Sequence, residues 1–430
     1  MANLIINGGK TLSGTITPSG NKNSVLPILC ATLLIDGKVT LNNVPDIIDV
    51  NKLYDTLTSI GSKIEWDKEN CRMVIDNTNI NHGMFDNEFP LDMRGSLLLL
   101  APLLYQMKKL KMCNSVGGCA LGIREIDPHL DLLEALGTKI ERKKILELSI
   151  DGRFKAGKVW PDFMGVTSTE NFIMASVLAE GVSTITNAAS EPHVQDLCNF
   201  LVKAGAKIKG IGTSTLEITG VEKLSGPVEY RVLADHHEIA TFLALGAMTN
   251  GEIHVNDAIP EHMPLVVSTF KKLGVKIEYE GNVAIVRPNQ SLQIEAPFTA
   301  NMLPRIEAAP WPYFPVDVLP LMMALSVRST GNIMFWNKVY EGAFNWIQEL
   351  MKFGAHVVAC DPHRVIVFGG KKLSPAEVNA PNIIRATIGL AMVGLSVEGR
   401  SVVKNADTIK RAHPNFVENL ASIGADISWE

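Results

Sequence analysis

Hydrophobic positions along this chain alternate between two patterns. In the first, apolar residues recur three and four apart and the stretch ends at a glycine, which predicts an amphipathic helix closed by a left-handed turn. In the second, apolar and polar residues alternate beyond the glycine, which predicts a strand with one buried face. The junction between them occurs six times. The first half reads Leu57-Thr-Ser-Ile-Gly61-Ser-Lys-Ile, Leu133-Glu-Ala-Leu-Gly137-Thr-Lys-Ile and Leu201-Val-Lys-Ala-Gly205-Ala-Lys-Ile. The second reads Phe270-Lys-Lys-Leu-Gly274-Val-Lys-Ile, Leu350-Met-Lys-Phe-Gly354-Ala-His-Val and Leu420-Ala-Ser-Ile-Gly424-Ala-Asp-Ile. Successive glycines lie 68 to 80 residues apart, so one structural unit is near seventy residues.

Upstream of these junctions lies a different helix, apolar almost all round, followed by a glycine turn and a strand. Ala31-Thr-Leu-Leu-Ile-Asp-Gly37-Lys-Val-Thr-Leu, Ala175-Ser-Val-Leu-Ala-Glu-Gly181 and Gly394-Leu-Ser-Val-Glu-Gly399 show it. A helix without a polar face belongs in an interior, whereas one with a charged face belongs outside. The expected fold class is α/β, with six units of an inner and an outer helix, three units in each half. A chain of 430 residues also exceeds what one core usually holds, which favours two domains.

Composition narrows the function classes. Hydrophobic residues make up 46% and charged residues 20%, which excludes disorder as the organising principle. Forty basic against 45 acidic residues leave a net charge of −5, so no global field draws in nucleic acid or an anionic membrane, and any anion must be bound locally. The six cysteines are scattered without CxxC or zinc spacing, as in a reducing compartment. The opening residues lack the basic and apolar regions of a signal peptide and no apolar run approaches the ~20 residues of a membrane span, so a cytoplasmic location is expected.

Four places carry candidate chemistry. Pro18-Ser-Gly-Asn-Lys22-Asn23 is a polar turn opening a buried helix, which suits an anion site at a helix start but also a solvated lysine. Asn114-Ser-Val-Gly117-Gly118-Cys119-Ala-Leu-Gly122-Ile-Arg124-Glu-Ile-Asp127 places a thiol in a glycine-rich loop five residues before an arginine, a candidate proton donor or nucleophile. Cys30, Cys113 and Cys198 read instead as inert buried thiols. Arg94, Arg385 and Arg411 lie among apolar residues, where a guanidinium needs an anionic partner, either a ligand or a structural carboxylate. Pro310-Trp-Pro-Tyr-Phe-Pro-Val-Asp317 places a carboxylate behind a rigid segment, as a positioned base or a helix cap. Gly210-Ile-Gly212 lacks a third fingerprint glycine, no Walker sequence is present, and Asp235-His236-His237-Glu238 lacks HExxH spacing, so neither cofactor nor metal is expected.

Taken together, the six-fold unit, the Gly-Asn-Lys22-Asn23 turn, the Gly-Gly-Cys119-Ala-Leu-Gly loop and Phe314-Pro-Val-Asp317 resemble the UDP-N-acetylglucosamine 1-carboxyvinyltransferase family over essentially the whole chain. That family stands with 5-enolpyruvylshikimate-3-phosphate synthase in a two-domain inside-out α/β barrel. The resemblance implies one domain over residues 21–232 and a second from residues 1–20 plus 233–430. It implies enolpyruvyl transfer from phosphoenolpyruvate to the 3-hydroxyl of the UDP-sugar, in peptidoglycan precursor synthesis, with no nucleic-acid or membrane partner.

Position by position, the resemblance assigns Lys22, Arg124 and Arg411 to the phosphate and carboxylate of phosphoenolpyruvate, assisted by Arg94 and Arg385. Asn23 and Asp317 face the acceptor, Asp127 lies in the segment that contacts uracil, and Val339 is a further substrate contact. Cys119 matches the loop cysteine alkylated by fosfomycin. The chemistry needs an acid near C3 and a base near the hydroxyl, roles that suit Cys119 and Asp317, with Lys22 completing the catalytic set.

The chain departs from the family pattern mainly on the acceptor side. It has Gly165-Val-Thr167 for Ser-Val-Gly, Asp235-His236 for Asp-Arg, Glu341-Gly-Ala343-Phe344 for Glu-Asn-Arg-Phe, Pro315-Val316-Asp317 for Pro-Thr-Asp, and Arg124-Glu-Ile-Asp127 for Arg-Pro-Val-Asp. Those differences keep open a different nucleotide acceptor, such as a uridine monophosphate in nucleoside-antibiotic synthesis, and a silent nucleotide-binding paralogue.

Overall fold

The computed structural model describes residues 2–81, 94–113, 125–299 and 302–430. Six outer helices span Ile48–Ser59, Asp127–Ala135, Pro192–Lys203, Pro264–Lys272, Ile347–Met351 and Phe416–Ser422. Each ends at the glycine of the repeated junction, with φ of 103° at Gly61, 88° at Gly137, 106° at Gly205, 80° at Gly274, 87° at Gly354 and 101° at Gly424. A side chain at such a φ clashes with its own backbone, so glycine is selected there.

In five of the six, the residue after the glycine donates its N–H to the first apolar residue of the motif. The pairs are Ser62 to Leu57, Thr138 to Leu133, Ala206 to Leu201, Val275 to Phe270 and Ala425 to Leu420. This bond closes the last helical turn and launches the strand in a fixed direction.

The strands repeat the same order in five four-stranded sheets. Lys63–Asp67 pairs antiparallel with Arg72–Asp76, which pairs antiparallel with Val39–Asn42, and Val228–Arg231 joins parallel on the far side. The sheets around Val182–Thr186, Ile253–Val255, Gly331–Asn337 and Gly399–Lys404 have the same arrangement. The sheet of Lys109–Cys113, Ile145–Ser149 and Lys139–Arg142 has three strands among the described residues. In the last unit the middle strand is Leu4–Gly8 from the chain start, held between Gly399–Lys404 and Asp426–Trp429.

The described residues divide into two compact units, one from residues 20–233 and the other from residues 2–19 with 234–430. In the second, the helices His236–Met248, Leu319–Arg328 and Ile384–Ser396 pack on one another. Every residue of the first and third of these is buried. In the first unit Lys22–Ala31, Leu100–Met107 and Val166–Ser176 are the apolar helices, with Ser24–Ala31 and Ser168–Ser176 fully buried. Burial of a large aliphatic or aromatic side chain contributes about 1.5–3 kcal/mol, so these helices are held by packing rather than by propensity. What remains available for chemistry is their ends.

Candidate functional site

In the unit of residues 20–233, Asn21 caps the Lys22–Ala31 helix: its Oδ1 accepts the N–H groups of Asn23 at 2.8 Å and Ser24 at 3.1 Å. The first turn holds no acidic residue, so the positive end of this buried helix is not neutralised from within. Lys22, at the first helical position, adds a full charge. Its Nζ lies 3.2 Å from Oδ2 of Asp49, with the two side chains only 16% and 7% exposed. Asn23 is half-buried beside it.

Arg94 opens the short helical turn Arg94–Leu99 and donates from Nη2 to the Glu125 carbonyl at 3.0 Å. His129 sits one turn into the next outer helix, fully buried. Burial first, and the Arg94 charge second, pull its imidazole down from 6.5 to about 3, so it is neutral. The Asn171 Oδ1 accepts the Ala101 N–H at 3.1 Å, which orients that amide. The Asn171 Nδ2 therefore donates to His129 Nδ1 at 3.0 Å, and His129 Nε2–H donates to Thr167 Oγ1 at 3.1 Å. Asp127, two residues before, is exposed at the helix start.

Cys30 and Cys198 are buried, and desolvation followed by the nearby Glu170 pushes the Cys198 thiol up to about 12. Neither can serve as a thiolate. Glu170 is itself raised well above the carboxylate range, by burial and then by Glu191, so it keeps its proton. Cys119 and Arg124, the two residues expected from the glycine-rich loop, lie outside the described residues.

The other unit carries a hydrogen-bonded chain at the start of its own buried helix. Asp235 caps His236–Met248: its Oδ1 accepts the His237 N–H at 2.8 Å and the His237 Nδ1–H at 2.6 Å. Its Oδ2 accepts Arg385 Nη2 at 3.0 Å. Burial would raise this carboxyl, but Arg385, then His237 and His236, outweigh it and hold the group well below the usual range.

The second arm of Arg385 donates to His413 Nε2. Since guanidinium only donates, Nε2 accepts and His413 presents Nδ1–H to Glu238 Oε1, 3.1 Å away. The Glu238 carboxyl also accepts the Ser19 Oγ–H at 2.6 Å and the Ser19 N–H at 2.9 Å. At the opposite end, His237 Nε2 lies 3.9 Å from Oδ2 of Asp317. Asp317 sits in the turn Val316–Val318 with its side chain 43% exposed.

The structure thus links Asp317 to Arg385 through His237 and Asp235, and Arg385 onward to Glu238 through His413. Arg411 is half-buried at the end of Ala406–Arg411, two residues before His413. Val339 is held separately, its N–H on Asn337 Oδ1 at 2.8 Å. The only available signal was the polar run Asp235-His-His-Glu238 at the head of an otherwise apolar helix, tested at sequence level for metal spacing alone. Asp235, His236 and His237 do bring ligand atoms within 4.8 Å of one another. Both Asp235 oxygens are nevertheless committed, one of them to a guanidinium that repels a cation, so the cluster is an ion-pair network.

The EPSP synthase (3-phosphoshikimate 1-carboxyvinyltransferase) family model matches residues 6–420. The chain belongs to this family of enolpyruvyltransferases. It is therefore an enzyme, a transferase of enolpyruvyl groups. The UDP-N-acetylglucosamine 1-carboxyvinyltransferase of Borreliella burgdorferi is 38% identical to it over 427 residues, covering 99% of each chain. That of Bradyrhizobium diazoefficiens is 39% identical over 423 residues, covering 98% of this chain and 97% of its own. Among solved structures, the enolpyruvyl transferase NikO from Streptomyces tendae superposes with a TM-score of 0.86 at 21% identity, covering 100% of this enolpyruvyltransferase and 98% of that chain, a likeness of fold. Among the described residues, no helix is long and apolar enough to cross a membrane.

Proposed function

We propose that this enzyme transfers the enolpyruvyl group of phosphoenolpyruvate to the 3-hydroxyl of UDP-N-acetylglucosamine, releasing phosphate, within the cytoplasm and for peptidoglycan precursors. The observation that carries this reading is the 38–39% identity, over nearly whole chains, to relatives bearing that name. The relatives at that identity carry the UDP-sugar name, so the nucleoside-antibiotic acceptor is not favoured. The proposed architecture is the inside-out α/β barrel in two domains, residues 21–232 and residues 1–20 plus 233–430.

In the proposed chemistry the acceptor oxygen attacks C2 while C3 takes a proton, giving a tetrahedral adduct. Loss of the C3 proton and cleavage of the C2–O bond then release phosphate. Asp317 is the base for the hydroxyl and Cys119 the acid for C3. Lys22, Arg124 and Arg411, with Arg94 and Arg385, hold the anionic substrate, because several charges in a small volume need fixed cations. Asn23, Asp127 and Val339 contact the acceptor. The helix start at Lys22, with a lysine and no acid in its own first turn, supports the anion assignment.

The test is phosphate release with phosphoenolpyruvate and either UDP-N-acetylglucosamine or uridine monophosphate. Turnover with the UDP-sugar is expected, together with inactivation by fosfomycin and resistance in Cys119→Asp. Turnover with uridine monophosphate alone would overturn the acceptor assignment.

A further inference from the structure

His237 has no place in the proposed chemistry above, yet it is the most tightly aimed side chain near Asp317. The same Asp235 oxygen takes both its backbone N–H and its ring Nδ1–H, at 2.8 and 2.6 Å. Two bonds to one buried atom fix the ring plane and the tautomer. With the proton on Nδ1, the neutral ring has its lone pair on Nε2, and Nε2 faces Asp317 Oδ2 at 3.9 Å. Asp317 is 43% exposed while His237 is 3% exposed, so the carboxylate stands between the imidazole and any substrate. A carboxylate facing an unprotonated nitrogen gains a hydrogen bond only when one proton arrives, on either partner.

We propose that His237 positions Asp317 and takes the proton that Asp317 removes from the acceptor hydroxyl, an inference that rests on Asp317 being the base. The proton moves from the hydroxyl to Asp317 Oδ, then to His237 Nε2. It returns by the same route to the departing phosphate, which leaves as hydrogen phosphate, and the site regains its starting charge. Asp235 plays the part of the buried carboxylate that holds an imidazole's tautomer and steadies the imidazolium.

The surroundings fit that load. The groups facing or linked to His237 are Asp235 and Glu238, Arg385, the neutral His413, Asp317, and His236, whose ring lies 3.9 Å from it. Apart from Asp317, that is two carboxyls against one guanidinium, so a proton on His237 brings the formal count of the buried cluster to zero.

The decisive variant is His237→Asn, whose amide reproduces the Nδ1 half of the ring and keeps a donor for Asp235 while removing Nε2. It is expected to lower kcat about 10²-fold, to leave the KM for phosphoenolpyruvate unchanged, and to remove one limb of the pH–rate profile. Unchanged kcat and pH profile in a folded variant would overturn the proposal. Should that variant fail to fold, His237→Gln, which keeps a nitrogen near the Nε2 position without a transferable lone pair, is expected to show the same loss. A second readout needs no activity: in 15N spectra of the free protein, Asp317→Asn is expected to shift the His237 Nε2 resonance, and indifference to that change would also overturn the proposal. Absence of wild-type turnover with the UDP-sugar would sink the proposed function alone, and the resonance would still decide the coupling.

Discussion

Two buried helices begin in opposite ways. Lys22–Ala31 starts with a neutral Asn21 cap, a lysine and no acid in its own first turn. His236–Met248 starts with an aspartate cap and Glu238 in its first turn, and those acids are answered by Arg385 and His413. The first end is met by Asp49, which reaches Lys22 from the neighbouring helix, whereas the second is neutralised from its own first turn. The same fold element therefore serves binding in one place and proton handling in the other, according to which charges fill its first turn.

The largest effect expected from breaking this contrast is at Asp317. Asp317→Asn keeps size and removes the base, and kcat should fall by ~10²–10⁴-fold in a steady-state assay, with melting temperature little changed. Arg385→Met attacks the closed network instead. It leaves Asp235 charged and buried without its guanidinium, a loss of about 3–5 kcal/mol that denaturant unfolding will register.

A third expectation concerns pH. His129 is held neutral, with its folded value lowered from 6.5 to about 3, so its contribution is complete above the unfolded value and disappears as pH falls through that window. Stability should drop by roughly 3–5 kcal/mol over the interval, and His129→Gln should flatten that acid limb in unfolding curves. The smallest effect is at the open end. In Lys22→Met, Asp49 keeps a further partner, so stability changes little. Removal of a charged hydrogen-bond donor should instead cost about 1.5–3 kcal/mol of kcat/KM for phosphoenolpyruvate. A large stability loss at Lys22 with unchanged kinetics would erase the distinction between the two helix starts.

Much of the fold was legible because its signal is local. A helix that must turn into a strand within one residue requires a positive φ, and six glycines recorded that requirement at regular spacing. The same step at the ends of the inner helices was only partly legible. Gly37, Gly181 and Gly399 were visible, but Lys108 takes positive φ where no glycine marks the turn, and after His236–Met248 the positive φ falls on Asn250 rather than on Gly251 beside it. The parallel edge strand of the four-stranded sheets was hidden as well. Val228–Arg231 pairs with Val39–Asn42 across most of a unit, and no local pattern records a partner that distant.

The site divides along the same line. Lys22 and Asp317 stood out because a charge at an apolar junction is a local anomaly. Asp49, His129, Glu238 and His413 did not, since each is an ordinary residue in its own segment and gains meaning only from what faces it.

By itself, the sequence determined the repeated unit, the two kinds of helix and the residue types able to grip an anion or move a proton. Those are consequences of backbone sterics and of side-chain chemistry, which act within a few residues. Tertiary structure alone decided that Ser19, Glu238, His413, Arg385, Asp235 and His237 form one chain of hydrogen bonds, with Asp317 3.9 Å beyond its end. Hydrogen bonds act over about 3 Å whatever the separation along the chain, and only packing of the buried helices brings those atoms within that reach.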